Sequence, residues 1–267
     1  MKSYEDANRE IWNELTGVHI KSYGIDKFKA GESTLDDIQL RDLGNLRGKN
    51  LLHLQCHFGL DSLSLVREGA IVTGVDFSER GIEEARKLSD ETGIPARFIH
   101  SNIYDLEKHL DEKFDIVYTT QGVLCWLRDL IGWAGIVGRY LKPGGILYLM
   151  ETHPILLIFE DTKPILSEII HPYFHSAEPK KWDDNAPDYS DPSYHWSKPS
   201  YEWMWNISDI INSLIGAGLT IEYFNEYDKL FYNGHPEMVR ESDGWWVLPR
   251  LRGKLPLMFT LRAIKTN

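Results

Sequence analysis

The sequence predicts an α/β fold in which a doubly wound, mostly parallel sheet is covered by helices on both faces. Five short apolar runs alternate with helical patterns between residues 50 and 151, as they do where helices connect parallel strands. Two more strand-like segments, 219–226 and 255–264, come late in the chain and suit an antiparallel addition at one end of the sheet. We therefore predict seven strands, one of them antiparallel.

The first part of the chain, residues 1–46, is predicted to form a helical cover in front of a core domain at 47–267. Four residues lie at helical spacing near the start: Ile11, Trp12, Leu15 and His19. This spacing predicts an amphipathic helix over residues 5–20. A polar segment separates it from a second helix expected near residues 34–44.

The core is read from the alternation of apolar runs and helical patterns. Strands are expected at the apolar runs 50–55, 71–76, 96–101, 114–120 and 146–151. A helix over 79–90 begins after Ser78, a suitable N-cap, and stops near Gly93. Further helices are expected at 128–141, before a Lys-Pro-Gly-Gly breaker, and at 208–217.

Residues 153–205 interrupt this rhythm and are predicted to form an inserted lid. Within them, segment 173–205 holds nine of the 32 aromatic residues of the chain, and prolines recur throughout. Long insertions in compact domains are usually functional lids or disordered. Disordered segments are poor in aromatic residues, so the composition favours a folded lid over the substrate.

Composition narrows the classes of partner. The formal net charge of −11, from 29 basic and 40 acidic residues, disfavours binding to nucleic acid. Two cysteines without paired metal-ligand spacing predict neither a disulfide scaffold nor a metal site. The N-terminus lacks the apolar stretch of a signal peptide, and no apolar run approaches the length of about 18 residues needed to span a membrane. We expect a cytoplasmic monomer or homodimer that binds neither nucleic acid nor membrane.

A ligand class follows from residues 49–78, which read as strand, glycine-containing turn, helix and second strand. The second strand ends at Asp76, which lies 21 residues after Gln55. A carboxylate at about this spacing accepts the two hydroxyls of a ribose in nucleotide-binding units. The pattern predicts a ribonucleoside cofactor.

Five segments, in this order, resemble the motifs of the class I S-adenosylmethionine-dependent methyltransferases, specifically bacterial enzymes of the small-molecule type. They are LLHLQCHFG at 51–59, VDFS at 75–78, the pair Asn102-Ile103, FDIVYTTQGVLCWL at 114–127 and LKPGGILYLMETHP at 141–154. The resemblance covers about residues 45–267. It implies a Rossmann-like fold, S-adenosyl-L-methionine as cofactor and a small-molecule methyl acceptor.

The resemblance also implies site residues. The expected cofactor contacts are Tyr23, Gln55, Cys56, His57, Gly59, Asp76, Phe77, Asn102, Ile103 and Gln121. The expected acceptor contacts are Trp126, Trp196 and Trp203. His153 and Glu151 follow or end the fifth strand and are the candidates for a general base, which is needed only if the acceptor must lose a proton. No metal is expected.

The first motif departs from the family pattern. His53 stands where relatives carry an acid, and Gln55 and His57 stand in place of two glycines. Two alternatives therefore stay open: a protein that binds a nucleoside cofactor or a partner without turnover, and a dinucleotide-dependent enzyme. The lack of Gly-x-Gly-x-x-Gly after the first strand argues against the second. The sequence does not identify the acceptor or the atom that is methylated.

Overall fold

The computed structural model describes residues 3–159, 163–164, 168–182, 185 and 187–266. The cover begins with three helices: α1 (Tyr4–Ser22), α2 (Ile25–Lys29) and α3 (Asp37–Leu43). Helix α1 starts at a capping box, in which the Ser3 hydroxyl accepts from the Asp6 N–H and the Asp6 carboxylate accepts from the Ser3 N–H. Both helices predicted from the sequence in this region are confirmed, and α2 is an addition to them.

The central part of the chain alternates strands with helices. Its elements are β1 (Asn50–Leu54), α4 (Leu60–Arg67), β2 (Ile71–Asp76), α5 (Glu79–Thr92), β3 (Arg97–His100), β4 (Phe114–Thr120), α6 (Leu130–Tyr140) and β5 (Leu141–Thr152). Short 3-10 helices follow β3 at Ile103–Lys108 and β4 at Leu124–Trp126. All five predicted strands are present. The Lys-Pro-Gly-Gly segment is accommodated as an irregularity within β5, since the pairing with β4 skips from Leu141 to Ile146.

The last part adds one helix and seven strands. They are β6 (Lys180–Trp182), β7 (Ser200–Glu202), α7 (Ile207–Gly216), β8 (Leu219–Tyr227), β9 (Lys229–Leu230), β10 (Val239–Arg240), β11 (Trp246–Val247) and β12 (Met258–Lys265). Strands β6 and β7 pair within the insertion, and β9, β10 and β11 form a small sheet between β8 and β12. This small sheet was not anticipated, because its strands are two residues long and carry no periodic pattern.

The main sheet has seven strands in the order β3-β2-β1-β4-β5-β12-β8. Strands β1 to β5 are parallel to one another, whereas β12 is antiparallel to both β5 and β8. The prediction of a doubly wound seven-stranded sheet with one antiparallel strand is confirmed. Because the strand order reverses between β1 and β4, a crevice opens at their carboxyl ends, where ligands bind in such sheets.

Hydrophobic packing covers both faces of the sheet. Alternate residues of β1 point to opposite faces, so Leu52 and Leu54 pack into one cluster with Trp133 of α6, while Leu51 packs into another with Leu65 of α4. A third, smaller cluster joins α2, α4 and α5 to β3. The sheet is therefore anchored from both sides, which fixes the positions of the strand ends that form the crevice.

Truncating Leu147 to alanine in β5 is expected to lower the free energy of unfolding by about 2–5 kcal/mol, because the fully buried side chain leaves a cavity. Urea denaturation measures the change. The matched control is Ile131→Ala on α6, where 78% of the side chain is exposed and the effect should stay within about 0.5 kcal/mol. Equal losses in the two variants would contradict this assignment of the core.

Candidate functional site

The carboxyl ends of four neighbouring strands meet at one rim of the sheet, which we call the carboxyl edge. It carries the polar residues that end or follow β1, β2, β3 and β4: Gln55, Asp76, Asn102 and Gln121. Helix α1 lies across this rim. The Asn102 amide donates to Glu5 Oε1 (3.0 Å), and the Ser78 hydroxyl donates to Asn13 Oδ1 (2.7 Å). The cover thus contacts the predicted cofactor residues directly.

Three non-glycine residues at this rim have left-handed backbone conformations: Gln55 (φ 58°), His57 (φ 51°) and Gln121 (φ 65°). Such a conformation costs an ordinary residue roughly 1–2 kcal/mol. Gln55 and His57 are the residues that replace glycines in the family pattern. The turn therefore keeps the backbone shape that glycine would adopt with ease, and side chains are carried there at a cost in strain. Strain of this kind clusters at functional sites.

Asp76 ties this turn to the end of β2. Its Oδ2 accepts from the His57 N–H (2.8 Å) and its Oδ1 accepts from the Ser78 N–H (2.8 Å). Burial raises the pKa of Asp76 to about 6, and the two N–H donors partly oppose this rise. Each carboxylate oxygen keeps a second lone pair, so Asp76 can still accept two hydroxyl groups.

The other predicted cofactor residues near Asp76 make contacts within the fold. Asn102 caps the 3-10 helix after β3 by accepting from the Tyr104 N–H (3.1 Å), and Ile103 packs into the buried core. Phe77 is half-buried beside Asp76, and its carbonyl contacts the His100 ring (3.1 Å). A cofactor role for these residues stays a prediction.

Gly59 and Cys56 have evident packing roles in the turn after β1. Gly59 has φ 79°, and a Cβ atom there would lie 2.7 Å from the Phe98 ring, so the fold itself requires glycine. Burial raises the pKa of the Cys56 thiol, as does the nearby Asp76, which leaves the thiol protonated. Gln55 donates through Nε2 to the Val123 carbonyl (3.0 Å), while its Oε1 is buried with no hydrogen-bond partner in the described part of the chain.

Glu151 holds the loop after β4. Its Oε1 accepts from the N–H groups of Gly122 and Thr152, and its Oε2 accepts from those of Val123 and Leu124, at 2.8–3.0 Å. Burial raises the pKa of Glu151, and the four donors oppose that rise because they favour the ionised carboxylate. Each carboxylate oxygen accepts two hydrogen bonds from backbone groups, so Glu151 supports the loop.

His153 is likewise engaged on both sides of its ring. Nε2 lies 3.0 Å from Glu226 Oε1, and Nδ1 accepts from the Ile155 N–H (3.1 Å). Burial lowers the pKa of His153, against the opposing effect of Glu226. Neither ring nitrogen is left for a substrate proton in this arrangement, and a role for His153 as the base stays an untested prediction.

The three predicted acceptor residues lie on two parts of the chain, the loop after β4 and the insertion. Trp126 is at the rim, where its ring meets Trp12 of α1 edge-on with ring centroids 5.3 Å apart. Trp196 donates through Nε1 to Asp188 (3.1 Å), within the insertion. Trp203 is buried, and its backbone N–H donates to the Cys125 carbonyl (2.8 Å), which attaches the insertion to the loop after β4.

A buried row of polar side chains links the turn after β1, helix α1 and the insertion. His57 Nε2 is 3.0 Å from His19 Nδ1, and His19 Nε2 is 3.4 Å from Asp188 Oδ2. Tyr23, predicted to contact the cofactor, stacks on the His19 ring with centroids 4.7 Å apart. Sequence reasoning did not select His19 or Asp188. The signal for His19 was its place on the apolar stripe of α1, whereas nothing local marks Asp188.

Among the described residues, no group of three or more His, Cys, Asp or Glu side chains is arranged to hold a metal ion. None of the helices in that part of the chain combines the length and apolar character that a bilayer crossing requires.

Part of the chain is similar to known sequences. Residues 52–149 match a family described as "Methyltransferase domain". A ubiquinone biosynthesis O-methyltransferase of Vibrio vulnificus strain YJ016 is 28% identical over 148 residues, which make up 55% of this chain and 60% of that protein. The match thus spans less than two thirds of this relative.

Two solved structures share the fold. A protein of Listeria monocytogenes assigned as an S-adenosylmethionine-dependent methyltransferase is 18% identical, with a TM-score of 0.60 over 86% of this chain and 97% of that one. An S-adenosylmethionine-dependent methyltransferase of Mesorhizobium loti is 21% identical, with a TM-score of 0.56 over 84% of this chain and 95% of that one. At these identities the likeness establishes the fold.

Replacing Glu151 by glutamine is expected to lower the free energy of unfolding by about 2–4 kcal/mol, because the new amide nitrogen faces backbone N–H donors and leaves them unpaired. Urea denaturation gives the value. Glu226→Gln is the control, since that half-exposed side chain keeps an acceptor for His153. If both variants lose the same small amount, Glu151 does not hold the loop after β4.

Proposed function

Because residues 52–149 match a family described as "Methyltransferase domain", we propose that this chain transfers a methyl group from S-adenosyl-L-methionine to a small-molecule acceptor. The observation that carries the proposal is the pairing of Asp76 with the strained turn after β1, at the point where the strand order reverses. Here a carboxylate with free lone pairs and a turn with left-handed backbone converge on one crevice. A nucleoside with an amino acid tail needs both.

The residues at the carboxyl edge fit this cofactor. Asp76 can accept the ribose hydroxyls, and the buried Gln55 Oε1, which has no partner, can accept from the ammonium group of the methionine portion. Asn102 and Ile103 are positioned after β3 for the adenine, as the family resemblance implies. When bound, the cofactor supplies a methyl group activated by a sulfonium. The chain has to align the acceptor with it and exclude water.

The cover and the insertion join over this edge, which supports an enclosed acceptor site. The Asn8 side chain makes two hydrogen bonds with the Tyr201 backbone, at 2.7 and 2.8 Å. Trp12 of α1 and Trp126 of the loop after β4 meet edge-on, and aromatic faces stabilise a sulfonium by cation–π attraction of about 0.5–2 kcal/mol. We assign Trp126, Trp196 and Trp203 to the surroundings of the acceptor on this basis.

The acceptor atom is proposed to be oxygen. The curated relative from Vibrio vulnificus is named an O-methyltransferase, although the match spans only 60% of it. The negative net charge and the aromatic side chains near Trp126 suit a planar, uncharged or cationic small molecule.

Affinity for S-adenosylhomocysteine is expected to fall as the pH drops below about 6, by at most tenfold per pH unit, and to be level from pH 7 to 8. The ionised Asp76 carboxylate accepts ribose hydroxyls, and protonation near its raised pKa of about 6 removes that capacity. Asp76→Asn should bind about 10- to 100-fold more weakly at pH 8. Isothermal titration calorimetry from pH 5 to 8 measures both effects.

The control is Asp90→Asn, which removes an exposed carboxylate from α5 and should reproduce the unmodified curve. Thermal unfolding of Asp76→Asn shows whether the variant is folded. Equal affinities of the unmodified chain and folded Asp76→Asn would remove Asp76 from the ribose site.

Turnover is tested by incubating the chain with S-adenosylmethionine and a panel of small aromatic and aliphatic alcohols, amines and thiols. We expect release of S-adenosylhomocysteine that depends on one class of acceptor, measured by mass spectrometry. Trp196→Ala should raise the KM for that acceptor severalfold without changing cofactor affinity, since the ring lies in the insertion. Cofactor binding with no turnover across the panel would favour the non-catalytic alternative, and no binding at millimolar ligand would refute the proposal.

A further inference from the structure

Three side chains from distant parts of the sequence form a buried row that none of the roles assigned above explains. Asp188 belongs to the insertion, His19 to α1 and His57 to the turn after β1. The contacts are Asp188 Oδ2 to His19 Nε2 at 3.4 Å and His19 Nδ1 to His57 Nε2 at 3.0 Å. The side chains of His19 and Asp188 are fully buried. A row of this kind is costly to bury unless every member is hydrogen-bonded.

The carboxylate end is firmly built. Asp188 Oδ1 accepts from the Ser190 N–H (2.9 Å) and hydroxyl (2.6 Å), and Oδ2 accepts from the Trp196 indole N–H (3.1 Å). Burial raises the pKa of Asp188, but the contacts with His19 and Ser190 outweigh it and lower the value to about 2. Asp188 is therefore an ionised acceptor that needs a donor on the facing ring nitrogen.

This requirement gives one order of protons along the row when each histidine carries a single proton. An ionised Asp188 then holds the single proton of His19 on Nε2, so that Nδ1 is an acceptor. His19 Nδ1 then requires a donor from His57, so the His57 proton is on Nε2. His57 Nδ1 is left with a free lone pair. That atom is buried and has no hydrogen-bond partner among the described residues.

The free nitrogen lies in an aromatic setting at the carboxyl edge. The His57 ring meets Trp12 edge-on with centroids 5.1 Å apart and Phe58 with centroids 4.4 Å apart. Burial lowers the pKa of His57. The ring is neutral and held in place, at a residue whose left-handed backbone glycine would adopt more easily.

We propose that His57 Nδ1 is the general base of the methyl transfer, that Asp188 and His19 are positioning residues that hold its proton on Nε2, and that the acceptor is a phenol. This rests on the proposed function. A phenol must lose its proton as its oxygen becomes a nucleophile, and its pKa of about 10 is within reach of an imidazole. The aromatic rings of Trp12 and Trp126 suit a planar acceptor.

The step balances without another reactant. The phenol O–H bond breaks, and its proton goes to His57 Nδ1. The oxygen lone pair forms a bond to the methyl carbon while the carbon–sulfur bond breaks, and its electron pair stays on sulfur. The products are the methyl ether and S-adenosylhomocysteine. The His57 imidazolium is stabilised through His19 by the Asp188 carboxylate and releases its proton to water when the products leave.

The base is tested with His57→Asn, because asparagine tolerates left-handed backbone and keeps a polar side chain but cannot take a proton at neutral pH. We expect kcat for a phenol such as catechol to fall about 10²–10⁴-fold, with the Kd of S-adenosylhomocysteine changed less than threefold. An unchanged kcat would overturn the proposal. A large loss of cofactor affinity with kcat preserved would instead make His57 a cofactor anchor and overturn it too.

The positioning role is tested with Asp188→Asn. The Oδ1 position already receives three donors, so the amide oxygen will occupy it. The amide NH₂ will then face His19 and replace the acceptor of the Trp196 indole N–H. This reverses the protons along the row and puts a proton on His57 Nδ1, and we expect a loss of kcat about as large as that of His57→Asn. The matched control, Asp191→Asn, removes the same charge from the same loop outside the row and should keep the kcat of the unmodified chain. A kcat for Asp188→Asn equal to that of the control would refute the relay.

A readout independent of turnover comes from long-range ¹H–¹⁵N NMR of the histidine rings in the full chain. His57 is expected as the Nε2–H tautomer in the unmodified chain and as the Nδ1–H tautomer in Asp188→Asn. Besides His19 and Asp188, the groups around His57 are Asp76, which accepts its backbone N–H, and Tyr23, whose ring lies 6.1 Å away. The fall of kcat/KM at acid pH should therefore come from protonation of the histidine row, and it should persist in Tyr23→Phe. An Nδ1–H tautomer in the unmodified chain would overturn the proposal.

Failure of this inference can be told apart from failure of the proposed function. N,N-dimethylaniline is a planar acceptor with no proton to lose. If the chain methylates it and not catechol, the methyltransferase assignment stands and the base is refuted. If neither S-adenosylmethionine nor its product binds, the methyltransferase assignment itself fails.

Discussion

The hydrogen bond from the His57 N–H to Asp76 is the constraint on which the rest of the site depends. It joins the turn after β1 to the end of β2 at 2.8 Å, across the crevice that the strand order creates. The bond requires the turn to direct its backbone N–H groups towards β2, and this is what the left-handed conformations of Gln55 and His57 achieve. Glycine usually permits such a turn. Here the neighbouring carboxylate and the buried sheet hold ordinary residues in that shape.

That arrangement has a consequence for the other elements. Once His57 carries a side chain at the rim, its ring needs partners, and they come from α1 and the insertion rather than from the sheet. The cover and the insertion are therefore tied to the crevice by polar contacts as well as by the packing of Trp12 and Trp203. Opening the crevice must separate His19 from His57 or Asp188. Access to the site and the order of protons within it are linked through the same three side chains.

The sequence allowed much of the sheet to be predicted, because apolar runs and helical stripes are local signals. The runs that became β1 to β5, the cap at Ser78 and the acid at Asp76 were all read from spacing. The site was less accessible. Glu151 lies near the end of β5, where a base was expected, but its four backbone partners lie 1 to 29 residues away and have no sequence signature. Asp188 contacts a histidine 169 residues earlier, which no periodicity reveals.

Residue type was the least reliable guide to function at the two positions where glycines are replaced. Judged by residue type, Gln55 and His57 suggest a motif that has lost its function. Judged by backbone, both keep the shape that glycine serves, at a cost of roughly 1–2 kcal/mol each. A chain that had only lost the motif would be free to relax that strain with a different turn. In this structure the strain is kept, and each of the two residues has one side-chain acceptor without a partner among the described residues, Gln55 Oε1 and His57 Nδ1. This combination is better explained if the two acceptors bind a ligand. The departure from the family pattern then adds side-chain chemistry to a turn that relatives use through its backbone.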